Sequence, residues 1–169
     1  MIRAAVLTVS DGVAAGERED AGGPALAAAL RDALGAEAAE RAFVADDRAA
    51  IAAKLRAWSA AGFDLVLSTG GTGVSPRDRT PEAFRDVIDF EIPGLAEKMR
   101  AETGGALPAA YLSRQVAGVA GSTLCIALPG SPSGAVECFR SVAELLPHAI
   151  ALARGERPRH PRPQAGGAG

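Results

Sequence analysis

The chain has 169 residues, a formal net charge of −2, and many aliphatic but few aromatic side chains. Its length fits one domain, placed at 1–154, that buries roughly two thirds of its unfolded surface. Near-neutral charge and scarce aromatics argue against a nucleic-acid partner, and no run reaches the ~18 apolar residues of a membrane span.

Met1-Ile2-Arg3 passes at once into an apolar run and meets Ser10-Asp11 too early for a signal peptide, so the expected location is cytoplasmic. Residues 4–9 form a short continuous β pattern ended by Ser10-Asp11-Gly12. Pro24 is expected to open a helix on which Leu26, Leu30 and Leu34 recur every four residues, with Gly35 stopping it. Residues 41–44 are a weak second strand. Asp46-Asp47 then precede a helix carrying Ile51, Leu55 and Trp58. A third strand, 63–69, runs into glycines, and a helix follows with Thr80 as its expected N-cap and Pro81 at its first position. Pro93-Gly94 introduces a helix to about residue 100; 116–120 and 123–128 flank Gly121-Ser122 as a hairpin; and Pro129-Gly130-Ser131-Pro132 leads into a helix to about residue 153. The Pro-, Arg- and Gly-rich stretch 155–169 is expected to be a disordered tail.

Alternating strands and helices predict an α/β fold of three layers, a mostly parallel sheet with helices on both faces. Such sheets bind ligands beyond the carboxyl ends of their strands. Ser10-Asp11, Asp46, the glycine segment and Pro129-Gly130-Ser131 all follow strands, so right-handed crossovers bring them to one edge.

The segment Ser68-Thr69-Gly70-Gly71-Thr72-Gly73-Val74-Ser75-Pro76-Arg77-Asp78-Arg79-Thr80-Pro81-Glu82 is the most specific feature. Glycines between a strand and a helix let backbone N–H groups converge on an anion. Arg77 and Arg79 add two phosphate-capable cations, and Asp78 a metal-capable carboxylate. Cys125 and Cys138, without a nearby histidine, read as core residues. The only histidines are His148 and His160, which disfavours His-based triads and general bases. Neither a P-loop nor a dinucleotide fingerprint is present. What remains is the equipment of a Mg²⁺-dependent phosphate site, with Asp46 and Asp78 as carboxylates of the right kind. Two plainer roles stand beside that one: Asp46 or Asp47 as the cap of the following helix, and Asp78 as a surface partner of Arg77 or Arg79.

The segment 68–83 resembles the signature of the molybdopterin adenylyltransferase (MogA/MoaB) family. Supporting matches are Thr8-Val9-Ser10-Asp11, Asp20-Ala21-Gly22-Gly23-Pro24, Pro93-Gly94-Leu95, Leu112-Ser113-Arg114, Gly121-Ser122-Thr123-Leu124 and Leu128-Pro129-Gly130-Ser131-Pro132, in the family's order across about 4–150. The resemblance implies that the terminal phosphate of molybdopterin attacks the α-phosphorus of ATP, giving adenylyl-molybdopterin and pyrophosphate. A phosphate monoester with a second pKa near 6 is already mostly dianionic at pH 7, which accounts for the missing general base. Carried over, Asp46 and Asp78 are the catalytic, Mg²⁺-associated aspartates. Ser10, Asp11, Gly70, Gly71, Thr72 and Gly73 form the nucleotide side; Ser113, Arg114, Pro129, Gly130 and Ser131 form the pterin side. The family also implies a homo-oligomer, a trimer or a dimer of trimers, and contact with the molybdate-inserting enzyme. Ala45, Asp47 and Ser131 depart from its usual proline, glutamate and amide residue. A related nucleotide pyrophosphohydrolase of the competence-damage type and a non-catalytic pterin carrier are the alternatives.

Overall fold

The computed structural model describes residues 1–157; of the tail expected at 155–169, Gly155 and Glu156 are hydrogen-bonded to the end of the last helix, and 158–169, with His160, lie outside the described residues. A six-stranded sheet forms the centre, in the order β2-β1-β3-β6-β5-β4. Strand β1 (Ala4–Val9) pairs in parallel with β2 (Ala38–Val44) on one side and β3 (Leu65–Thr69) on the other. Next, β3 pairs in parallel with β6 (Thr123–Leu128), and β6 closes an antiparallel hairpin with β5 (Ala117–Ala120) about Gly121. A two-residue strand, β4 (Phe90–Glu91), pairs antiparallel with β5 and forms one edge.

Both sheet faces are covered, which is why β1, β3 and β6 are buried along their whole length. Ala4, Val6, Leu65, Leu67 and Ile126 face one core, shared with helices α2 (Gly22–Leu34), α5 (Pro93–Gly104), α6 (Pro132–Val142) and α7 (Leu146–Ala153). Ala5, Leu7, Val66 and Cys125 face the other, where α3 (Arg48–Ala60) and α4 (Thr80–Arg85) bring Ile51, Leu55, Trp58 and Phe84. The expected three-layer fold is therefore the one observed. Both cysteines are buried and free, and burial pushes the Cys125 thiol up to about 12.

Local boundaries differ in instructive ways. Ser10 starts a one-turn helix, α1 (Asp11–Ala14), by accepting from Val13 N–H. The second helix begins two residues before Pro24, because Asp20 Oδ1 accepts the Gly23 N–H at 2.9 Å. Gly35 does end it, with φ of 60°. Thr80 is not an N-cap: it is the first residue of α4, and its hydroxyl donates to the Gly70 carbonyl at 2.8 Å. The last helix is broken by a 3₁₀ turn at Ala143–Leu145, and a second 3₁₀ segment, Pro108–Leu112, follows α5.

Candidate functional site

Because β1, β2, β3 and β6 run parallel, their carboxyl ends share one edge. Chain order reverses between β1 and β3, whose neighbours lie on opposite sides, so this edge carries a topological switch point. The segment after β3 makes the floor of the site there. Gly70 and Gly71 have φ of 105° and 66°, conformations that favour glycine. A Cβ on Gly70 would strike the Val9 carbonyl, and one on Gly71 would strike the Thr80 hydroxyl and come within 2.9 Å of Asp46 Oδ1.

Each carbonyl of the loop is held from behind. Gly70 and Gly71 carbonyls accept from the Thr80 hydroxyl and Thr80 N–H. The Thr72 carbonyl accepts from Arg114 N–H at 2.7 Å, and the Gly73 carbonyl from Arg114 Nε at 2.8 Å. Gly70 N–H donates to the Leu128 carbonyl, and among the described residues no backbone acceptor takes those of Gly71, Thr72 and Gly73. Three N–H groups, rather than the four expected, are therefore left without a backbone acceptor.

Two cavities meet over this floor. One, of about 400 Å³, is polar and bounded by Thr8, Ser10, Glu19, Asp20, Asp46 and Thr69. The other, about 360 Å³, is walled by apolar groups of the 3₁₀ segment and its approach (Leu107, Ala109, Ala110, Leu112), with Thr72, Ser113, Pro129, Ser131 and Cys138. Gly71, Asp78 and Gly130 line both. Ser10, Asp46, Gly71 and Asp78 therefore share one cavity as expected, while Ser131 opens into the adjoining one.

The two aspartates are held differently. Asp47 caps α3 by accepting Ala50 N–H at 2.7 Å, so Asp46 is not needed as a cap. Asp46 Oδ2 accepts Asp11 N–H at 3.2 Å. Burial is the largest influence on its carboxyl and, with the negative fields of Asp11 and Asp78, raises its pKa against the pull of Asp11 N–H and Arg77. Asp78 Oδ2 accepts Ser75 N–H at 2.8 Å in a tight turn, and it forms no ion pair with Arg77 or Arg79. Arg77 instead donates through Nε and Nη2 to Asp11 Oδ2, holding the Asp11 carboxyl below its usual range together with the Asp46 N–H.

Arg114 is behind the site rather than in it. Besides the Gly73 carbonyl, its guanidinium donates to the Asp78 carbonyl at 3.0 Å and pairs with Glu82. It opens instead onto a different depression with Arg85 and Arg100. Ser113 is in the apolar cavity, its hydroxyl 3.2 Å from that of Thr72. Ser131 lines the same cavity while its hydroxyl caps α6 through Gly134 N–H. Sequence reasoning missed Glu19 and Asp20 as cavity residues. The signal was the Asp20-Ala21-Gly22-Gly23 run, whose glycines allow close packing: a Cβ on Gly22 would sit 2.9 Å from the Thr69 methyl.

Three backbone N–H groups without a backbone acceptor, at the switch point of a three-layer sheet and beside Asp46, Asp78 and an apolar cavity, make up the candidate site of this α/β protein. The profile of a domain family described as "Probable molybdopterin binding domain" matches residues 5–148. The chain belongs to this family, that of molybdenum cofactor biosynthesis. It is 37% identical to a molybdopterin adenylyltransferase of Helicobacter pylori strain J99, over 91% of this chain and 89% of that one. The Thermus thermophilus MoaB structure superposes with a TM-score of 0.85 at 47% identity, covering 92% of this chain and 98% of that one. A Synechococcus elongatus "Molybdenum cofactor biosynthesis bifunctional protein" is 40% identical over 90% of this chain, which spans about half (47%) of that protein's length. The Drosophila melanogaster protein cinnamon, 37% identical over 87% of this chain, is matched over 25% of its length. No helix among the described residues is long and apolar enough to cross a membrane.

Proposed function

We propose that the chain is a molybdopterin adenylyltransferase that joins the adenylyl group of ATP to the terminal phosphate of molybdopterin and releases pyrophosphate. One observation carries the reading: a polar and an apolar cavity open onto each other at Gly71, Asp78 and Gly130, beside an N–H cradle. Two substrates bound in adjoining cavities meet where their phosphates share that cradle. The apolar wall suits the pterin, with Ser113, Pro129, Gly130 and Ser131 along it. The polar cavity suits the nucleotide, with Ser10, Gly70 and Gly71 along it, while Thr72 and Gly73, expected on the nucleotide side, line the apolar cavity.

Mg²⁺ fits the donors at this junction. Asp46 and Asp78 each engage Oδ2 in a backbone hydrogen bond and keep Oδ1 clear of those bonds. Among the described residues no group of three or more metal-binding side chains forms a cage. Two carboxylates completed by phosphate oxygens and water is a common way to hold this ion. When bound, it supplies charge compensation to the phosphates. The protein's own work is positioning and electrostatic stabilisation. Beyond the effect of burial, Asp78 sits close enough that its negative field raises the Asp46 pKa. The N–H groups of Gly71, Thr72 and Gly73, which have no backbone acceptor among the described residues, are the donors offered to phosphate oxygens. A dianionic phosphate attacking phosphorus needs no base, in keeping with a site that holds no histidine.

The decisive experiment is incubation with ATP and molybdopterin. Adenylyl-molybdopterin with stoichiometric pyrophosphate supports the transferase. Nucleotide cleavage without pterin would make it a hydrolase, and binding without turnover a carrier. The same reading has the protein in the cytoplasm as a trimer, single or paired, which a solution mass measurement tests.

A further inference from the structure

Asp46 is a wall between two openings. One side is the polar cavity described above. On the other, a separate opening of about 340 Å³ is lined by Asp46, Asp47, Arg48, Pro76, Arg77 and Arg79. Most of its charges are already engaged: Asp47 caps α3, Arg48 grips Asp86 through Nε and Nη2 at 2.6 Å each, and Arg77 is fixed on Asp11. Arg79 differs. It is exposed, and its guanidinium makes no hydrogen bond or ion pair among the described residues. An anion entering here meets two guanidinium groups locked in place, those of Arg48 and Arg77, and a third, that of Arg79, free to close on it.

The three openings also fall in a sequence. The apolar cavity shares Gly71, Asp78 and Gly130 with the polar one; the polar one shares Asp46 with the arginine-lined one; the first and third share no residue. In phosphoryl and nucleotidyl transfer, the attacking and leaving oxygens lie roughly in line through the reacting phosphorus. If the attacking phosphate arrives from the apolar side, the leaving group departs on the opposite side.

We propose that the opening behind Asp46 receives the β- and γ-phosphates of ATP and then the departing pyrophosphate, with Arg79 as the residue that binds them and Arg77 fixed beside it. This rests on the adenylyl-transfer reading. The bond between the α-phosphorus and the oxygen bridging to the β-phosphorus breaks, and its electron pair leaves with pyrophosphate. The new bond joins the α-phosphorus to a terminal oxygen of the attacking phosphate. Arginine suits the leaving group because its planar fork binds phosphate through two parallel hydrogen bonds.

The test is calorimetric titration of the parent, Arg79→Ala and Arg79→Lys with pyrophosphate, ATP and AMP, each with magnesium. The parent should bind pyrophosphate. In Arg79→Ala, pyrophosphate and ATP should weaken by roughly tenfold or more while AMP stays within about twofold, and Arg79→Lys should recover part of the loss. Because the exposed side chain makes no hydrogen bond or ion pair among the described residues, the melting temperature of both variants should match the parent. Equal weakening of AMP and pyrophosphate, or no weakening of pyrophosphate, overturns the subsite. A parent that binds ATP independently of Arg79 removes the subsite alone. A parent that binds neither ATP nor AMP overturns both the subsite and the adenylyl-transfer reading.

Discussion

Asp11 and Asp46 exchange hydrogen bonds. The N–H of Asp11 donates to Asp46 Oδ2 at 3.2 Å, and the N–H of Asp46 donates to Asp11 Oδ1 at 3.0 Å. The pair ties the carboxyl ends of β1 and β2 together, alongside the bond from Ser10 N–H to the Val44 carbonyl. It fixes the orientation of Asp46 using one oxygen only, so the other is left toward Gly71, where no Cβ intervenes. A catalytic carboxylate needs this combination of a fixed position and an available oxygen.

Removing the charge of Asp46 or Asp78 should therefore slow adenylyl transfer more than it weakens pterin binding. Asn at either position keeps an oxygen for the backbone bond, so the fold should survive. Loss of one such electrostatic group commonly costs on the order of 10²–10³ in rate, or about 3–4 kcal/mol. Single-turnover adenylation by Asp46→Asn and Asp78→Asn, with pterin affinity measured in parallel, checks this. Near-normal rates in both would reduce the two residues to structural turn-holders.

Gly71 is a structural position as well as a proposed ligand-facing one. Its sequence context reads as a place where a side chain would block a ligand yet leave the fold largely intact. The geometry corrects that: φ is 66°, and a Cβ would strike the Thr80 hydroxyl that holds the Gly70 carbonyl. Left-handed strain and crowding together should cost about 2–4 kcal/mol for Gly71→Ala, and more for Val. Gly130→Ala is the control, since its Cβ would meet only Gly70 Cα, at 3.4 Å. Denaturant unfolding of the two variants should separate them clearly; equal stability would refute the steric account.

The site was legible in the sequence wherever a residue's role follows from its place after a strand. Asp46, Asp78 and the glycines fall there, and the parallel sheet brings them together. Roles set by long-range partners were not legible. Arg114 is separated from Gly73 by 41 positions, and nothing local tells that its guanidinium would turn toward the loop carbonyls. Thr80 looked like a helix cap because hydroxyls before Pro commonly are, yet the Gly70 carbonyl competes for it. The 3₁₀ segment Pro108–Leu112 has no strong periodicity, and without it the apolar cavity has no outer wall.

Arg114→Lys should act through the loop at the junction of the two cavities, although the residue itself lines neither. Lysine keeps the positive charge beside Glu82 but cannot span the Gly73 and Asp78 carbonyls together. The expected result is weaker ATP binding and slower transfer, with pterin affinity within about twofold of the parent. Arg114→Ala should also lose about 2–3 kcal/mol of stability, because it strands the partly buried Glu82. Selective loss of pterin binding in the Lys variant would instead make Arg114 a pterin ligand.

The last expectation concerns pH. Burial, reinforced by the fields of Asp11 and Asp78, raises the Asp46 pKa above the ordinary value of 3.8. Between that value and the raised one the folded protein binds more protons at this site than the unfolded chain, so this site's contribution makes stability fall as pH rises through the window. Above the window the ionised carboxylate is a standing cost to the fold, of the kind that the proposed catalytic role would account for. Asp46→Asn removes the charge but keeps the oxygen that Asp11 N–H needs. The variant should accordingly melt higher than the parent at pH 7, and its advantage should shrink as pH is lowered toward the ordinary aspartate value. Thermal melts of parent and variant across that range read the difference directly. A variant less stable than the parent at neutral pH would show that the ionised carboxylate of Asp46 stabilises the fold through its Asp11 bond more than its burial costs.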